Sequence, residues 1–230
     1  MSHFVVAVFS HDPKDVDALL APYDEQDEKY MEFCPCNESR EKLEAEYQNF
    51  KDAYPDFDAF VKAEYGYEKC RGVWGQWYNP CAKWDWYQKG GRWNGMLRLK
   101  AGGTADEALV KEVDWLPDEA KLRAAERFWE VVVEGQPLQP GEQEEDFFSL
   151  WKPEYYVEQF GTKEHYAMAQ ASIMPFAMIT ADGEWLETGE MGWFGAHSGT
   201  GDTRKTFENR FAQYVQENPD LYVTMVDCHI

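Results

Sequence analysis

Two short apolar runs at opposite ends of the chain constrain its fold more than anything between them. Residues 3–9 read His-Phe-Val-Val-Ala-Val-Phe, and residues 221–226 read Leu-Tyr-Val-Thr-Met-Val. Each is too short for a stable helix. Both are rich in β-branched and aromatic side chains, which suit a pleated, buried surface. They are predicted as strands of one sheet. With helices between them in irregular order, the expected class is α+β: a mostly antiparallel sheet with helices packed on it, and the terminal strands in the same sheet.

The interior supplies those helices. Asp12-Pro13 caps a short helix over Asp15–Leu20. Leu43, Tyr47, Phe50 and Tyr54 recur at helical spacing across 37–54, Pro55 stops them, and a second helix covers 56–65. A strand over 94–100 and a helix capped by Thr104 come next, then a helix from Pro117 to about Trp129. Residues 162–171 and 202–217 read as helices, the latter with Phe207, Phe211, Tyr214 and Val215 on one face. Pro175–Glu187 reads as a hairpin turning at Ala181-Asp182-Gly183. The length of 230 residues fits one domain, or at most two small ones, and the single-domain reading is taken, with a surface loop or linker at 135–145 (Gly-Gln-Pro-Leu-Gln-Pro-Gly-Glu-Gln-Glu-Glu).

Charge then removes whole classes of partner. With 22 basic and 43 acidic residues the net charge is −21, so long nucleic acid and anionic membrane surfaces are repelled. The apolar runs are far too short to span a bilayer, and no basic-then-apolar leader opens the chain. Five cysteines, an odd number, fit a reduced compartment, so a cytoplasmic location is expected. Cys34-Pro-Cys36, Cys70 and Cys81 lack the paired knuckle spacing of a zinc site, so neither metal nor cofactor is expected.

Residues 67–104 differ in kind from the rest. They hold seven basic and two acidic residues, a local +5 that leaves −26 for the remainder. They also hold Trp74, Trp77, Trp84, Trp86 and Trp93, half of the ten tryptophans. Aromatic faces stack on flat ligands, while arginine and glycine-turn amides bind anionic oxygens. A nucleotide asks for both at once. Lys83, Trp84, Asp85, Trp86, Gly90, Gly91, Arg92 and Trp93 are therefore the candidate ligand-binding residues. Trp84, Trp86 or Trp93 would stack a base, and Arg92 with Lys83 would meet phosphate. The same residue types also suit a tryptophan-filled core with its cations paired to an acidic surface.

The string Asn79-Pro80-Cys81-Ala82-Lys83-Trp84-Asp85-Trp86-Tyr87-Gln88-Lys89-Gly90-Gly91-Arg92-Trp93 resembles a family of uncharacterised proteins encoded mainly by bacteriophages and prophages, with the pattern N-P-x-x-K-W-D-W-Y-x-x-G-G-R-W. His3–Phe9, Ala21–Glu25, Gly189–Gly195 and the closing Val226-Asp227-Cys228-His229-Ile230 look like that family too. The resemblance implies a viral origin and a host-cell cytoplasmic setting, and carries no mechanism with it. A small nucleotide-like ligand, bound for counter-defence by sequestering a host signal, is the expected function.

Two alternatives stand beside it. Asp85, Asp227 and His229, with His165 or His197 nearby, are candidate catalytic residues of a hydrolase acting on such a ligand. Against that, Asp227 and His229 would simply end a strand as solvated polar groups. The other alternative partner is a host protein, gripped by exposed aromatics. Ordered carboxylate rows that would mimic DNA are not evident, because acids and bases alternate through 111–130. The stretch His197–Asp202 could cradle an anion at a helix start, although Asp202 as a plain helix cap is the simpler reading.

Overall fold

The first strand is buried along seven consecutive residues, Phe4–Ser10, so it is covered on both faces and reads as an unbroken apolar run rather than an alternating one. This and all that follows comes from a computed structural model describing residues 2–190 and 198–230.

The strands are β1 (His3–Ser10), β2 (Glu32–Pro35), β3 (Glu68–Cys70), β4 (Val73–Tyr78), β5 (Trp86–Lys89) and β6 (Leu97–Arg98). They continue with β7 (Thr104–Ala105), β8 (Glu107–Leu109), β9 (Ala177–Ile179), β10 (Trp185–Glu187) and β11 (Tyr222–His229). The helices are α1 (Val16–Leu20), α2 (Arg40–Tyr47), α3 (Phe57–Tyr65) and α4 (Glu119–Val132). Three more follow: α5 (Pro153–Phe160), α6 (Lys163–Ala171) and α7 (Gly201–Glu217).

The chain packs as two compact units, a division the sequence reading did not draw. One unites the residues up to Leu20 with those from Asp85 onward, and the other is Ala21–Trp84. In the first, the sheet runs β10-β9-β1-β11-β5, with β8 also on β11. The terminal strands pair directly and antiparallel, from His3↔His229 to Ser10↔Tyr222. Among the described residues only the β1–β9 pairing in this sheet is parallel, so the class is α+β and mostly antiparallel, as the sequence indicates. Val5, Ala7, Phe9, Val223 and Met225 face Phe207 and Phe211 of α7 and form the main core. Each of these side chains larger than alanine contributes roughly 1.5–3 kcal/mol when fully buried. A second cluster, built on Trp129, Tyr156, Phe160 and Tyr166, joins α4, α5 and α6.

The second unit is a small sheet, β2-β4-β3. Its core is Leu43, Phe60 and Val61, ringed by aromatic side chains such as Tyr47, Phe57 and Trp74. Among the described residues no helix is long and apolar enough to cross a membrane.

Local expectations fail where turns replace periodicity. Thr104 does not cap a helix. Gly102 and Gly103 take φ of 92° and 82°, which closes a tight hairpin that pairs Thr104 with Arg98. The predicted helix over 37–54 regularises only as α2, capped by Ser39, with turns beyond it. Helix α5 was not anticipated, though Pro153 in its first turn and Gly161 just past its end mark its limits.

The exposed loop over 135–145 is tied to α4. Arg127 donates from Nε and Nη2 to the two carboxylate oxygens of Glu142 at 2.8 and 2.7 Å, and from Nη2 to the Pro137 carbonyl at 2.9 Å. The guanidinium, together with the Gln139 N–H, holds the Glu142 carboxyl down at about 2. A depressed carboxyl stabilises above its ordinary value of 4.5 and loses that contribution as pH falls toward about 2. Hydrogen-exchange protection factors in 135–145 should therefore drop selectively across that window. In Glu142→Gln they should already be low at neutral pH. Protection that is constant through the window would refute the clamp.

Candidate functional site

Strand register assembles the site. Paired residues of an antiparallel ladder share a face, as do residues two apart on one strand. With His3 opposite His229 and Val5 opposite Asp227, the side chains of His3, Asp227 and His229 occupy one face at the end of the sheet. Strand β5 sets Trp86 beside His229 and Gln88 beside Asp227 on that same face.

Two carboxylate–imidazole pairs result. His3 Nδ1 lies 2.8 Å from Asp227 Oδ1, and His229 Nδ1 lies 2.6 Å from Asp85 Oδ1. The two rings meet edge to face with centroids 5.0 Å apart. A carboxylate only accepts, so each Nδ1 carries the hydrogen. The main-chain N–H of Asp85 also donates to the His229 carbonyl at 3.0 Å, which fixes Asp85 against the strand end.

Asp227 is 2% exposed. The expectation of solvated strand-end groups is thus overturned: this carboxylate is held inside. A buried charge needs partners, and Asp227 has His3 on one oxygen and the Arg92 main-chain N–H on the other, at 3.0 Å. The glycine turn exists to let that happen. Gly91 has φ +54°, and a Cβ there would fall 2.5 Å from the Asp227 side chain. Gly90 has φ +68°, and the Asp106 carboxyl lies where its Cβ would be. Asp106 in turn accepts from the Gly95 N–H at 2.6 Å.

The candidate ligand-binding residues take separate places. Lys83 and Trp84 belong to the second unit: the Lys83 main-chain N–H donates to the Tyr23 carbonyl at 2.8 Å, and the Trp84 carbonyl accepts from Glu25 at 2.9 Å. Trp84 is buried. Asp85, Gly91 and the Arg92 backbone join the acid–base cluster, while Gly90 cradles Asp106. Trp86 is half-exposed beside His3, its ring centroid 6.4 Å away. Arg92 is exposed, and it serves Asp227 through its backbone. Trp93 packs against the main core and also lines a cavity of about 330 Å³ shared with His3 and Arg204.

The candidate catalytic residues Asp85, Asp227 and His229 do come together. His165 does not join them: its ring bridges Phe160 O and Glu208 Oε2, both at 2.7 Å. His197 lies outside the described residues, as do Met191–Gly195 of the family-like string. Thr200, not Asp202, caps α7, because its hydroxyl accepts the Thr203 N–H at 3.3 Å. His3 was missed altogether. Its signal was present, since pairing the terminal strands antiparallel brings the first strand's leading residue to the last strand's end. Cys228 lies between Asp227 and His229 on the opposite face, and burial pushes its thiol up, so it is not a nucleophile. Among the described residues, no three His, Cys, Asp or Glu side chains are disposed to hold a metal ion.

Two neighbouring substitutions separate the backbone role from the side-chain role. Gly91→Ala combines a left-handed φ with overlap on a buried carboxylate and should cost ~2–4 kcal/mol. For a chain of this size that lowers the melting temperature by roughly 4–16 °C. Arg92→Ala keeps the N–H and should stay within about 0.5 kcal/mol of wild type. Thermal melts of the two variants check this, and equal losses would refute it. Compared with protein-family models, curated proteins and solved structures, the chain gives no match, so its function has to be read from the chemistry of this cluster.

Proposed function

We propose that this chain is a hydrolase of a small nucleotide-like phosphoester, with His3 as its general base and acid. One observation carries the reading: two imidazoles, each held by a carboxylate at Nδ1, lie edge to face beside a cavity. His3 lines that cavity, whereas His229 Nε2 is buried with no hydrogen-bond partner. His3 is therefore the reactive ring, and the Asp85–His229 pair positions it. Nε2 of His3 takes a proton from water as the water oxygen bonds to phosphorus. The P–O bond to the leaving group breaks, and the imidazolium returns that proton to the leaving oxygen. Asp227 stays ionised throughout and stabilises the imidazolium.

In a chain that resembles phage-encoded proteins, removal of a host nucleotide signal is the biological sense. A second reading, an adhesive module for a host protein, draws on Phe148, Leu150 and Trp151, which are 73%, 81% and 57% exposed.

Purified protein incubated with linear and cyclic nucleotides should release hydrolysed product, read by chromatography. His3→Gln should lower kcat by ~10²–10⁴ with the fold retained. Asp227→Asn should lower both kcat and stability, because it leaves a half-satisfied buried pair. Binding without turnover in wild type would assign the chain to sequestration. Neither binding nor turnover would favour the protein-binding module.

A further inference from the structure

The cavity beside His3 has a second charged wall. Its lining includes His3, Trp93, Gln170, Thr188 and Arg204, together with apolar groups such as Phe176, and its volume is about 330 Å³. Arg204 comes from the first turns of α7. Its guanidinium carbon lies 4.8 Å from the centre of the Phe160 ring. Its Nε is buried and has no hydrogen-bond partner. That is costly, because a buried donor left unsatisfied loses its solvation with nothing in return. Arg98 Nε is likewise unpartnered, but the Arg98 and Arg127 guanidiniums are paired with carboxylates, whereas among the described residues Arg204 has no carboxylate partner in a chain with 43 acidic residues.

We infer that Arg204 anchors one phosphate group of the ligand, with the flat ring of that ligand against Trp93 and its phosphorus toward His3. This rests on the hydrolase reading for the identity of the reacting atom, but not for binding. Arginine presents N–H donors in a planar fork that matches two phosphate oxygens, and Nε is one of them. One guanidinium offsets the charge of a single phosphate far better than that of a chain of three. The volume lies at the small end of ligand sites, the size of a mononucleotide rather than a dinucleotide. The substrate class is then a single-phosphate nucleotide or its cyclic diester.

The test is calorimetric titration of the whole protein with AMP, 3′,5′-cyclic AMP, ATP and adenosine, with turnover followed separately. AMP or cyclic AMP should bind more tightly than ATP, and adenosine should not bind. Arg204→Ala should weaken the best probe by roughly 10- to 100-fold, the loss expected for a charge-assisted contact. Arg204→Gln keeps the stem over Phe160 and removes the charge, so it reports even where the alanine variant fails to fold. Arg204-dependent binding without hydrolysis upholds the anion site and sinks the hydrolase reading. Hydrolysis with binding and KM unchanged in Arg204→Gln upholds the hydrolase and overturns the anion site. Failure of every probe to bind, or tightest binding of ATP, overturns it as well.

Discussion

The buried carboxylate of Asp227 is the interaction on which the rest of the first unit's organisation depends. Taking an ionised carboxyl out of water costs several kcal/mol unless donors surround it. The donors here come from two distant parts of the chain: His3 at the start and the Arg92 backbone in the glycine turn. Satisfying one charge thus fixes the β1–β11 register and docks the glycine turn on the sheet. A one-residue slip would turn His3 to the other face and strand the carboxylate.

That requirement recasts the tryptophan-rich motif. Its glycines admit carboxylates: Gly91 makes room for Asp227 and Gly90 for Asp106. Its opening asparagine is a fastener within the second unit. Asn79 donates to the carbonyls of Pro22 and Asp24, both at 2.8 Å, and accepts from the Cys81 N–H at 2.9 Å. The family-like strings 21–25 and 79–84 are therefore hydrogen-bonded to each other, just as the Gly-Gly-Arg turn is bonded to the closing Val-Asp-Cys-His. Within that string, Gly91 and the Arg92 backbone support the carboxylate that holds His3, and His3 lines a cavity.

A burial gradient follows across the two imidazoles. His229 is closed in, with Asp85 on one nitrogen and nothing on the other. His3 is held as firmly but lines open space. On the proposed reading, two chemically similar pairs thereby acquire different uses, one as support and one for proton transfer. The difference comes from position on the sheet, and residue type plays no part in it.

Much of the fold was legible in the chain itself. The end runs, the helices at 56–65, 162–171 and 202–217, and the Asp-Gly hairpin follow from periodicity and turn chemistry, which are local properties. Apart from the strand read over 94–100, which survives as the short β6, the strands of residues 66–104 were not legible, because two- to six-residue strands separated by positive-φ glycines are too short to show a period. For the site, Asp227 and His229 could be placed on one face from spacing alone. That Asp227 is buried, that His3 holds it, and that Arg92 serves through its backbone were decided by tertiary structure. The physical reason is that hydrogen bonds to a buried charge join residues up to 224 positions apart, and no local pattern encodes their meeting.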